Sequence, residues 1–132
     1  MAAGLSQTNL INAWLNVLRG TTFTGVAGQF VQLHTNAGDP GASGTANVSS
    51  VTTRPSLTWA APSANAIANS NSPQWTNWAG TNGEVVAHIS IWSASSAGTF
   101  YLSITLTASK TVNTGDTVTL SSASVTLSPA AA

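Results

Sequence analysis

"EVVAHISIWSASSAGTFYLSITLT", residues 84–107, decides the fold class. In its second half Phe100, Leu102, Ile104 and Leu106 alternate strictly with Tyr101, Ser103, Thr105 and Thr107. In its first half Val85, Ala87, Ile89 and Ile91 fall on one face, and Val86, His88, Ser90 and Trp92 on the other. Period two over such runs is the mark of half-buried strands, because successive side chains of an extended chain point to opposite faces. The same stretch carries one of the chain's two histidines, His88, among apolar neighbours. Whether that imidazole is a base, a ligand or packing bears on what the chain does.

The rest of the chain extends the strand pattern in both directions. "QFVQLHT" (29–35) alternates, and Asp39-Pro40-Gly41 then supplies a turn with a preset φ and a permissive glycine. "RPSLTWAAP" (54–62) reads as a short strand whose Pro55 suits an edge. The stretch 66–80 holds two short strands broken near Pro73. After a turn at Asn113–Asp116 come strands around Val118 and Leu120, then Val125 and Leu127. Only "SQTNLINAWLNVLRG" departs from period two. Its Leu10, Ile11, Trp14, Leu15, Val17 and Leu18 carry the three-and-four spacing of an amphipathic helix. Ser6 is the N-cap, Arg19 suits the C-terminal end of the dipole and Gly20 supplies a left-handed stop.

These elements predict a mainly β fold: an antiparallel β-sandwich or jelly-roll-like single domain over 1–132 with one short N-terminal α-helix. The expected parts are a helix over about 6–19, the sandwich over about 22–128 and a short Pro/Ala tail at 129–132. A chain of 132 residues is long enough for one core without staples.

Composition narrows the chemistry. The ionised side chains are Arg19, Asp39, Arg54, Glu84, Lys110 and Asp116, only 5% of residues where a quarter is usual. Three scattered cations cannot replace phosphate counterions along a nucleic acid, nor dock on an anionic membrane. Nucleic-acid and membrane partners are therefore not expected. Without cysteine there is no disulfide, thiolate metal site or thiol catalysis. No apolar run approaches a bilayer span, and "MAAGLSQTNL" has neither a basic nor an apolar leader segment, so export is not expected. A net charge of zero leaves little repulsion between copies, which favours an assembly.

Candidate sites are few. Asp39 and Asp116 belong to glycine turns, which leaves no acid pair for glycoside hydrolysis. His34 and His88 lack any short metal-ligand spacing. G-x-S-x-G and phosphate-binding glycine loops are absent. No catalytic, cofactor-binding or metal-binding residue is expected, and no cofactor. His88 and Trp92 read as structural, an imidazole packing by an indole with one hydrogen bond satisfied. Leu10, Trp14, Leu18, Trp75 and Trp78 are the candidate interface positions. An exposed Trp75/Trp78 pair could alternatively stack on sugar rings.

The order of fragments after the helix carries a resemblance: "FVQLHT", "GDPG", "TTRPSLTWAAPS", "AHISIWSA…GTF", "LTASKTVNTGDTVTL" and a closing "VTL". From about Leu5 to Leu127 the chain resembles a family of small bacteriophage virion proteins, common in phages of actinobacteria and often labelled tail fibre proteins. That family usually reads Trp-Asp where this chain has Trp92-Ser93, with a Gly-Gly following where only Gly98 stands here. The chain is also similar to capsid decoration, or minor capsid, proteins, compact β domains bound outside the shell and often trimeric. The resemblance implies a non-enzymatic structural protein of the virion, assembled in the host cytoplasm. Its expected partners are the major capsid protein or other virion subunits and copies of itself, a trimer being favoured. Small size, low charge and the missing fibre shaft put capsid decoration first. A tail-fibre or tail-tip module binding receptor or carbohydrate is the alternative.

Overall fold

The computed structural model describes residues 3–128; the expected tail at 129–132 lies outside the described residues. Eight strands follow the helical segment: β1 Gln29–Thr35, β2 Ser56–Leu57, β3 Ala66–Ala68, β4 Gln74–Trp75, β5 Glu84–Trp92, β6 Phe100–Val112, β7 Val118–Thr119 and β8 Ser124–Thr126. Four of them form an antiparallel sheet in the order β2-β1-β5-β6, and β3-β8 and β4-β7 form two short antiparallel ladders. The protein is mainly β, antiparallel, with one short N-terminal helix, as the alternation predicts.

The helical run is built from a π turn Gln7–Ile11, an α segment Asn12–Asn16 and a 3-10 turn Val17–Arg19. Its ends are those expected. The Ser6 hydroxyl accepts the Asn9 N–H at 3.3 Å, and Gly20 closes the run at φ 77°. Just before it, residues 4–6 lie along β6, where Tyr101 O accepts the Ser6 N–H at 2.7 Å and Gly4 O accepts the Ser103 N–H at 2.8 Å. This pairing ties the helix to the sheet edge and occupies edge groups that would otherwise be open.

One face of the four-stranded sheet holds the apolar core. Val31, Leu33, Val86, Ile89 and Ile91 are buried there with Leu57, Trp75, Trp78, Val112, Leu120 and Ala123, so the two ladders and their connections form a second layer. Strict alternation in β5 would put Ala87 rather than Val86 on the face of Ile89. A bulge reverses it: His34 and Thr35 of β1 face His88 and Val86 of β5, leaving Ala87 over, and the pairing with β6 slips at the same place. An extra residue shifts parity by one, which turns Val86 inward.

The opposite face carries Gln32, His34, Ser90, Trp92 and Phe100, and it too is buried or nearly so. Its cover is the turn-rich stretch after β1. Residues 47–49 return to pair beside β1, with Thr35 N–H on Asn47 O at 2.8 Å and Ser49 N–H on Leu33 O at 3.0 Å. Between them the chain crosses the sheet as far as Phe100. Gly44, at φ 70°, lies so close to that ring that a Cβ would overlap it.

Candidate functional site

The covered polar face holds the densest cluster of chemistry. His34 is fully buried, with Nδ1 2.8 Å from Ala46 O and Nε2 2.6 Å from Ser90 Oγ. A backbone carbonyl only accepts, so Nδ1 carries the proton and Nε2 must accept from the Ser90 hydroxyl. Trp92 Nε1–H donates to the same Ser90 oxygen at 2.7 Å. The result is one directed chain, Trp92 to Ser90 to His34 to Ala46, with every member satisfied. Burial pushes the His34 pKa down; the Ala46 hydrogen bond opposes this, and the charges of His88 and Arg54 add to it.

Arg54 closes the network from the side. Its guanidinium carbon sits 4.2 Å over the Trp92 ring, its Nε donates to Gln32 Oε1 at 3.0 Å and one Nη donates to Ala97 O at 2.8 Å. At the far end Glu84 accepts the Ser49 hydroxyl at 2.5 Å and the Ser50 N–H at 3.1 Å, fixing the returning loop. Burial raises the Glu84 pKa, but the hydrogen bonds from Ser49 and Ser50 outweigh it and hold the carboxyl below its usual range.

A serine within 2.6 Å of a histidine has the spacing of a nucleophile and its base. Here both groups are fully buried, and the second imidazole nitrogen is oriented by a carbonyl rather than a carboxylate. The pair works as packing. Among the described residues, no group of three or more His, Asp or Glu comes together in a way that could hold a metal ion.

The expected site residues separate into inside and outside. His88 lies directly across from His34, half-buried, and its Nδ1 is buried without a hydrogen-bond partner. The satisfied histidine expected at position 88 is thus found one strand away, at His34. Trp92 is buried and tilts against Phe100 at 5.6 Å between ring centroids. Trp75 and Trp78, expected at an interface or as a sugar platform, are in the core. Their indole N–H groups donate to Thr53 O at 2.8 Å and Thr81 O at 3.2 Å. This corrects the expectation of an exposed aromatic pair. Trp78 is drawn in by its backbone, which exchanges hydrogen bonds with Asp116 and Gly115 across the Asn113–Asp116 turn.

Of the helix positions, Leu10 is buried against β6, whereas Trp14, Leu15, Val17 and Leu18 are exposed. The stripe that packs in the first turn continues past the sheet with nothing of this chain over it. Trp14 meets Phe23 edge-on at 6.4 Å, and with Leu5, Leu10, Val26 and Trp59 these rings line a hollow of about 150 Å³. A second, larger groove of about 560 Å³ opens between β6 and residues 117–124, floored by Ile104 and Leu106 and walled by threonine and serine hydroxyls. The exposed helix end is therefore the surface at which this chain can act on another molecule.

Sequence reading missed Gln32, His34, Arg54 and Glu84 as parts of one site. The available signal was "VQLH", polar on one face and apolar on the other, followed at once by a long turn-rich segment able to cover the polar face. At Trp92-Ser93 the hydroxyl of Ser93 accepts the Thr99 N–H at 2.8 Å, so the turn is capped without an acid.

No curated protein matches this sequence. A family model described as "Podophage GP4 fiber I protein gp80" matches residues 5–128, from the strand-like segment before the helix to the residues just after β8. The chain belongs to this podophage fibre I protein family.

Proposed function

We propose that the chain is a non-enzymatic structural subunit of a podophage fibre and works by binding alone. The observation that carries this reading is the match to the fibre family over residues 5–128, which leaves no separate segment for another activity within the matched span. The geometry supports it in two ways. The one serine–histidine pair in hydrogen-bond contact lies under the 36–50 loop, out of reach of a substrate. The bare apolar surface, by contrast, sits on a helix at the molecule's edge, where a neighbour can reach it.

Capsid decoration, the position expected from size and low charge, rests on properties that a fibre subunit shares; the family description favours the fibre. The carbohydrate-binding version of the fibre reading loses its platform, since Trp75 and Trp78 are both in the core. Immunogold electron microscopy of purified virions tests the assignment. Label on tail-associated fibres is the expected result. Label spread over the shell would replace this reading with decoration, and particles free of label would overturn both.

A further inference from the structure

The helix end and the hollow beside it form a single patch. Trp14 is 36% exposed, Leu15 56%, Val17 51%, Leu18 86% and Val26 40%. Together these leave on the order of 500 Å² of apolar side chain bare, the upper end of what a monomer keeps as one patch, about 300–600 Å². With the walls of the hollow added, the patch approaches the roughly 800 Å² that each partner gives to a standard protein interface.

We infer that this patch is covered by a second copy of the chain, the ridge of Leu15, Val17 and Leu18 from one helix seating in the hollow beside Trp14, Phe23 and Trp59 of the other. Three features select a copy over other occupants. The patch holds both a ridge and a hollow, so it is complementary to itself, which is what a contact between identical surfaces requires. Between residues 5 and 28 the only ionised side chain is Arg19, whose guanidinium is engaged by Asn16 Oδ1 at 3.2 Å. A neutral patch selects a neutral partner, and a chain of net charge zero meets its own copy without repulsion. A lipid surface would call for a row of basic residues flanking the apolar stripe, and one arginine does not provide it. The inference concerns contact between copies and stands whatever the position on the particle.

The test is light scattering on the full chain after gel filtration, from about 1 µM to about 300 µM, the weaker part of the range that interfaces of this size span. The wild-type chain is expected to run as a dimer or higher oligomer. Leu18→Glu is expected to weaken association at least tenfold while leaving the circular dichroism spectrum and melting temperature unchanged, because Leu18 is almost wholly exposed. Thr114→Glu, in the exposed turn after β6, is expected to keep the wild-type mass. A wild-type chain that stays monomeric throughout would overturn the inference. So would a Leu18→Glu chain with unchanged mass, or a monomer that instead captures a different virion protein through this helix.

Discussion

Ser90 is one hydroxyl serving two rings. It accepts from Trp92 and donates to His34 in a place water does not reach, so removing it orphans two buried polar groups at once. At about 1–3 kcal/mol for each such group, Ser90→Ala should cost on the order of 2–4 kcal/mol in urea unfolding at neutral pH. A loss under about 0.5 kcal/mol would mean that the network is not formed in solution. His34 sets the pH dependence. Its pKa in the folded chain lies below that of a free imidazole, with burial as the main cause. Above about pH 6.5 both folded and unfolded chains hold it neutral and it contributes no slope. As pH falls through that value, the unfolded chain takes up a proton that the folded chain refuses, so stability drops. Glu84 acts in the same direction at lower pH. Its stabilising contribution is present above the unfolded carboxyl pKa and is lost as pH falls through the lower folded one. The melting temperature should therefore be level above neutrality and decline below about pH 6.5, and His34→Gln should flatten the first part of that decline. An unchanged slope in His34→Gln would assign the titration elsewhere, with His88 across the strand as the next group to substitute. Residue identity alone could not separate the two histidines: both sit in alternating runs, and only the cover of residues 36–50 decides which is sealed.

The elements themselves were legible wherever a local pattern fixes them. Helix, cap and stop agree with Ser6, the three-and-four spacing and Gly20. The breaks near Pro73 and at Asn113–Asp116 fall where turn residues put them. What local pattern could not carry was register. The bulge at Ala87 is fixed by two flanking strands at once, and it turned Val86 inward against the alternation. Nor could it place Trp75 and Trp78, whose surroundings look polar in sequence and which are buried through pairing with residues some 40 positions later. At this scale the loop over the polar face makes the sharpest prediction. Gly44→Ala combines a left-handed φ with overlap on Phe100, so it should destabilise by on the order of 3 kcal/mol or prevent folding. Gly115→Ala shares the positive φ but meets nothing within 4 Å, and it should cost about 1 kcal/mol. Equal losses in the two variants would show that the loop does not pack on that ring.

Across the whole molecule, polarity is distributed in an unusual way. A buried, fully directed hydrogen-bond chain lies under a loop, while four large apolar side chains of a helix face solvent in a protein with three charges of each sign. Burying polar groups and exposing apolar ones both oppose the stability of an isolated chain, and the second is relieved only by a partner. That asymmetry is why the chain is read as a subunit and why its function is placed on the helix rather than at its histidines. The most direct measurement is the number of copies of this chain per virion, by quantitative mass spectrometry of purified particles, for phage carrying the wild type or Leu18→Glu. The account predicts that Leu18→Glu falls at least tenfold below the wild-type copy number although the purified variant melts at the same temperature. A wild-type copy number in Leu18→Glu particles would contradict it.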